Sequence, residues 1–273
     1  MMDARITTDS AMIYHSTKAL SKHSMDELLR CPARFKETLD SMGEPEKPTE
    51  AMLLGSVFHA LVLEPNSHGY KAKQFSGSTK LGKEEAANAA AKGVTLVTQS
   101  AWDTAQRMAD SVTAHPLIDT AMGMDDWQTE LSIYWTERES IPCKARIDAI
   151  ASIPGFGRCV IDLKSTTDAS FESISRAIYE YAYHRQAAWY QHALQLAGLE
   201  CRKFIFLFCE KTAPYLCTAI TVADAALQVA MDEIRGALDT YEACAKTGIW
   251  PGYSTDIVTE VDLPSYAYKR IAA

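Results

Sequence analysis

Between residues 130 and 164 the apolar side chains recur with a period of two, in three runs separated by short polar turns. The runs are 130–137 (ELSIYWTE), 141–153 (IPCKARIDAIASI) and 158–164 (RCVIDLK), with PGFG at 154–157 as the second turn. Successive side chains of a strand point to opposite faces, so this pattern predicts strands, and connections this short make neighbours antiparallel. Helical spacing surrounds the meander. The fold class that follows is α/β, a mixed central sheet flanked by helices.

A capped helix is expected to start near Ser21 or Ser24, with Leu28 and Leu29 on its buried side, and Pro32 either ends it or opens a second one. Residues 40–50 (DSMGEPEKPTE) read as a loop, and 51–63 as a mostly buried helix with Gly55 and His59 on one face. The segment 66–93 carries Lys71, Lys73, Lys80, Lys83 and Lys92 among Ser, Gly and Ala. It is expected to be part loop, part Ala-rich helix, and the most mobile region. An amphipathic helix covers 98–114, closed by His115 and Pro116. One long helix is expected over 172–197, then strands at 203–209 and 215–222, then a helix over 223–247. With no repeat and no long linker, one domain is expected over 1–273. It comprises a helical part (1–125), an α/β core (126–253) and an irregular tail (254–273).

Three charges fit poorly in this meander. Strand alternation puts Arg146, Asp148 and Ile150 on one face and Ile147 and Ala149 on the other; Asp162 and Lys164 share a face of the next strand. Pairing across PGFG brings Asp148 and Asp162 together. Two adjacent carboxylates repel unless protonated or bridged by a cation, and oxygen ligands suit Mg²⁺ or Mn²⁺. Lys164 reaches the same place. The competing reading is two surface carboxylates and a salt-bridging lysine.

Composition narrows the field. No apolar run approaches the roughly 20 residues that cross a bilayer, and the first residues lack a signal peptide's apolar segment, so no membrane partner and a cytoplasmic location are expected. Seven scattered cysteines without a CxxC pair argue against a disulfide framework or a zinc finger. A net charge of −8 disfavours nonspecific coating of nucleic acid, yet leaves room for an enzyme whose own chemistry needs acidic groups.

The spacing Asp, then 10–15 residues, then Asp-x-Lys across a hairpin resembles the signature of the restriction-endonuclease-like (PD-(D/E)xK) nucleases. Further segments extend the likeness. "LLRCPARF" (28–35) is similar to the N-terminal helix motif of RecB-like nucleases, "GSVFH" (55–59) to their GxxxH, and "YAYHRQAAWY" (181–190) to their QxxxY. The order and wording most resemble the RecE type (exodeoxyribonuclease VIII-like), over roughly 14–253. The best-known member is much longer and carries this unit at its C-terminus.

That resemblance implies a single nuclease domain. His59, Asp148, Asp162 and the Leu163 backbone carbonyl would be metal ligands, with Glu130 as a further acidic group near two Mg²⁺ ions, replaceable by Mn²⁺. Lys164 would orient or activate water, with Gln186 and Tyr190 beside the metals. Arg146, Arg34 and Arg185 become candidates for DNA contact, and Lys71, Lys73, Lys80 and Lys83 for a flexible clamp. The resemblance also implies 5′-to-3′ digestion of linear duplex DNA, 3′ overhangs for a single-strand annealing partner, and a ring-shaped homo-oligomer. Two alternatives stay open: a RecB- or Cas4-like nuclease of different end preference, and a catalytically silent DNA-end-binding module.

Overall fold

The computed structural model describes residues 4–40, 48–67, 69–254 and 256–263. Positions 41–47 of the expected loop and positions 255 and 264–273 of the expected tail lie outside them. In chain order the elements are β1 (Arg5–Thr7), α1 (Ala11–Ser16), α2 (Lys22–Arg30), α3 (Pro32–Asp40), α4 (Glu50–Leu63), β2 (Tyr70–Ala72), α5 (Lys80–Ala91), β3 (Thr95–Val97) and α6 (Gln99–Thr113). There follow α7 (Pro116–Met122), β4 (Gln128–Glu137), β5 (Ile141–Ile153), β6 (Gly157–Thr166), α8 (Phe171–Glu180), α9 (Tyr183–Leu196), β7 (Lys203–Glu210), β8 (Cys217–Thr221) and α10 (Asp224–Thr247).

Local chemistry sets several boundaries. Ser21 accepts from the Ser24 backbone N–H while the Ser24 hydroxyl accepts from that of Ser21, a reciprocal cap worth about 1 kcal/mol. Leu28 is buried as expected, but Leu29 is 38% exposed, because only one stripe of α2 faces the core. Pro32 opens α3, where its missing N–H costs nothing.

The main sheet runs β1-β4-β5-β6-β7-β8, parallel only between β6 and β7. This is the expected mixed sheet, and the meander β4–β5–β6 is antiparallel as read from the sequence. Two cores cover its faces. One gathers Met25, Leu28 and Phe35 of α2 and α3, Trp189 of α9 and Ile234 of α10 on Ile133, Ala145, Phe204 and Phe206. The other gathers Val57 and Phe58 of α4, Met108 of α6 and Ile118 of α7 on Ala151, Ile161, Leu163 and Leu207. Among the described residues, no helix is long and apolar enough to cross a membrane.

Two expectations are corrected. The single helix over 172–197 is broken: α8 ends at Glu180, and α9 starts at Tyr183 after Ala182, which adopts a left-handed φ of 51°. An L-residue there costs about 1–2 kcal/mol, and tertiary contacts offset it: Lys22 Nζ donates to the Tyr181 carbonyl at 2.6 Å, and Tyr183 packs on Phe206. The strict alternation of β5 also fails. Ala145 and Ile147 pack in the first core, whereas Ala149 and Ala151 pack in the second, so the strand changes phase at Asp148. The β4–β5 ladder skips the Glu130–Asp148 position, where Glu130 has a φ of 57°. Over 66–93 the helical part is α5, and β2 adds a short parallel pairing with β3.

Candidate active site

The phase change at Asp148 coincides with a fork in the sheet. The β5–β6 register runs from Ile153↔Gly157 to Ala149↔Ile161 and stops. Beyond it β5 continues against β4, while β6 continues against β7 from Asp162↔Phe206 to Thr166↔Glu210. Splaying frees backbone groups that must find other partners. The Leu163 N–H donates to Asp148 Oδ2 at 2.8 Å, so a carboxylate stands where a strand would have paired. Asp148 and Asp162 therefore meet at the crotch of the fork, reached by α4 from one face and α9 from the other.

His59, on α4, places Nδ1 3.3 Å from Asp148 Oδ2 and also hydrogen-bonds the Leu163 backbone. Asp162 is only 1% exposed. Its Oδ1 pairs with Lys164, and its Oδ2 accepts from Gln186 Nε2 at 2.5 Å. Tyr190, one turn further along α9, is in turn hydrogen-bonded to Gln186. Glu130 pairs with Arg146, whose Nη1 also donates to the Asp9 carbonyl at 2.6 Å and to Ser132 Oγ at 3.2 Å. The kinked backbone at Glu130 belongs to a site residue, where strain of about 1–3 kcal/mol commonly concentrates.

Electrostatics separates this cluster from ordinary salt bridges. Burial pushes Asp162 up to about 6, against the pull of Lys164. Burial also raises Asp148, and burial together with Asp148 raises Glu130. Burial disfavours the Lys164 ammonium, yet Asp162 and Asp148 outweigh it and hold Lys164 above its ordinary value. Burial and Lys164 lower His59 and so favour its neutral imidazole, the form that can donate a lone pair. One buried carboxylate, Asp162, and two half-buried ones, Asp148 and Glu130, face two cations, Lys164 and Arg146, and a divalent cation would supply the missing positive charge.

The donor set of carboxylates, one imidazole and the Leu163 carbonyl fits a hard divalent ion. Among the described residues, no three His, Cys, Asp or Glu side chains close on a common point. The two aspartates are instead each engaged by neighbouring groups. His59 and Leu163 engage Asp148, and Lys164 and Gln186 engage Asp162.

Other residues singled out in the sequence fall elsewhere. Arg185 pairs with Asp26 at 3.1 Å and Glu233 at 3.6 Å, and Arg34 lies exposed on α3. Lys71, Lys73, Lys80 and Lys83 are exposed around β2 and α5. A cleft of about 640 Å³ between α9 and α10 is lined by none of the fork residues. Tyr183 escaped sequence reading. Its ring lies 5.0 Å from Lys164 Nζ, and only the helix break at Ala182 brings it there.

A mixed sheet that forks at an Asp…Asp-x-Lys hairpin, with helices on both faces, defines a restriction-endonuclease-like fold. Over residues 21–260 the chain matches the family described as a PDDEXK-like domain of unknown function (DUF3799), and it belongs to that family. Among solved structures, a protein from Eubacterium rectale provisionally called an exonuclease aligns with a TM-score of 0.59 at 15% identity. The alignment covers 94% of this chain and 95% of that one, a likeness of fold. Protein VC1899 from Vibrio cholerae aligns with a TM-score of 0.25 at 12% identity over 89% of this chain and 58% of that one, too weak to carry an argument. No curated protein matches the chain.

Proposed function

We propose that this chain is a divalent-cation-dependent exodeoxyribonuclease of the RecE type. It digests one strand of linear duplex DNA from the 5′ end and leaves 3′ overhangs for a single-strand annealing partner. The observation that carries the reading is the fork, where buried Asp162 and half-buried Asp148 meet beside Lys164 with their carboxyls held above the ordinary range. The fold shared with the Eubacterium rectale protein, itself provisionally called an exonuclease, supports it.

Asp148, Asp162, His59 and the Leu163 carbonyl would hold two Mg²⁺ ions, with Glu130 beside them and Mn²⁺ able to substitute. What such ions supply when bound is neutralisation of phosphate charge and polarisation of the attacking water. The chain's own groups do the rest. Gln186 fixes the Asp162 carboxylate, the Leu163 N–H fixes that of Asp148, and Lys164, paired with Asp162, would orient or activate the attacking water through its positive charge. Arg146 restrains Glu130 and tempers its repulsion of Asp148.

A chain of net charge −8 needs enclosure to stay on a polyanion, which favours the ring-shaped homo-oligomer. The test uses end-labelled linear duplex with Mg²⁺. Loss of the 5′ label first, with a covalently closed plasmid left intact, is the expected result. Loss of the 3′ label first contradicts the polarity, and rapid nicking of the closed plasmid contradicts the exonuclease.

A further inference from the structure

The helix break at Ala182 does more than place Tyr183 over Lys164. It turns the end of α8 and the start of α9 into one wall of an open cleft of about 500 Å³, lined by Tyr179, Tyr181 and Tyr183 with Lys22 and His23 of α2. A single exposed apolar side chain needs no explanation, but several rings gathered on one cleft wall are a patch that does. Tyr179 is 83% exposed and Tyr181 60%. The Tyr181 ring lies 5.6 Å from that of Tyr183 at an interplanar angle of 33°, and Tyr183 in turn faces Lys164. A run of aromatic rings thus leads from solvent to the fork.

The cleft's charges say what it attracts. Asp26 is neutralised by Lys22 at 2.7 Å and by Arg185 at 3.1 Å. Glu27 and Glu180 also line the cleft, and they disfavour a row of phosphates. Rings remain as the attraction. Stacking on an aromatic face is open to any base, because every base has a π face.

We propose that Tyr179 and Tyr181 form a stacking platform for unpaired nucleobases of the strand whose phosphate enters the fork. The proposal rests on the nuclease reading above and adds a subsite to it. The platform would hold the frayed end beside Lys164 without reading its sequence.

The test compares two single-stranded oligonucleotides of equal length and charge, one normal and one abasic, with chelator present so that the strand survives. Fluorescence anisotropy is expected to show the normal strand binding about tenfold tighter, the size of one base–aromatic stack. The difference should vanish in the Tyr179→Ala/Tyr181→Ala double variant and persist in the double Phe variant, which keeps the rings. Equal binding of the two strands, no measurable binding of the normal strand, or a preference that survives the double Ala substitution each overturns the platform. Cleavage of linear duplex is scored separately. A chain that cleaves but shows no preference for bases loses the platform alone. One that prefers bases in the expected way but never cleaves loses the nuclease reading alone.

Discussion

Two clusters built around carboxylates, one holding Glu137 alone and one holding Glu130, Asp148 and Asp162, sit on the same meander and behave in opposite ways. At the end of β4, Glu137 accepts from Trp135 Nε1 at 2.8 Å and lies 2.6 Å from His192 Nε2. Burial alone would raise its carboxyl, but the hydrogen bonds from His192 and Trp135 outweigh it and hold Glu137 below the ordinary range. At the fork, burial wins at Glu130, Asp148 and Asp162 alike. The first cluster is satisfied by its own donors and ties α9 to the sheet. The second is left short of positive charge by the fork. Burial of a carboxylate is therefore a poor marker of function; the sign of its displacement is the better one.

Breaking the fork should have the largest effect. Asp162→Asn keeps the shape and removes a charge, and cleavage of linear duplex should fall by more than about a hundredfold while binding of the duplex persists. Lys164→Ala comes next, with an expected loss of about a hundredfold in rate and cation binding retained, because its role is electrostatic and positional. Single-turnover cleavage measures both. Rates near wild type in the first variant would remove the metal-site assignment.

The contrasting cluster should respond in stability alone. Glu137→Gln weakens charge-assisted hydrogen bonds to His192 and Trp135, and urea denaturation at pH 7 should show a loss of about 2 kcal/mol. The sign with pH follows from the lowered carboxyl. A depressed folded value contributes stability above the ordinary value of 4.5 and loses it as pH falls through the folded value, so the gap to wild type should close in acid. Cleavage by the folded variant should be unchanged. Replacing Lys71, Lys73, Lys80 and Lys83 together by Ala should have the smallest effect, a shallower salt dependence of DNA binding, by about one unit of slope for each phosphate the lysines no longer neutralise. An unchanged slope would make that segment a solvated surface.

How much of this was legible in the sequence depends on what each feature needs. Asp148, Asp162 and Lys164 follow from a period of two and a tight turn, and the two carboxylates stand one position beyond the last β5–β6 pair, Ala149↔Ile161. His59 came through the GxxxH resemblance, and Gln186 through QxxxY; His59 lies against Asp148 and Gln186 against Asp162. The fork itself was illegible, because strict alternation assumes an unbroken ladder and nothing in the sequence marks Glu130 for a left-handed φ. The α8–α9 break was equally hidden. No glycine or proline marks it, and the donor that offsets its cost, Lys22, is distant in the chain. Short β1 and the β2–β3 pair carry too few residues to show a period.

The central claim is that the fork carboxylates await a divalent cation whereas Glu137 does not. Titration calorimetry with Mn²⁺ on three proteins tests it directly. Wild type and Glu137→Gln should bind with equal affinity, and Asp162→Asn should bind at least about tenfold more weakly. Equal affinity across all three, or no binding by wild type at pH 7, contradicts the claim.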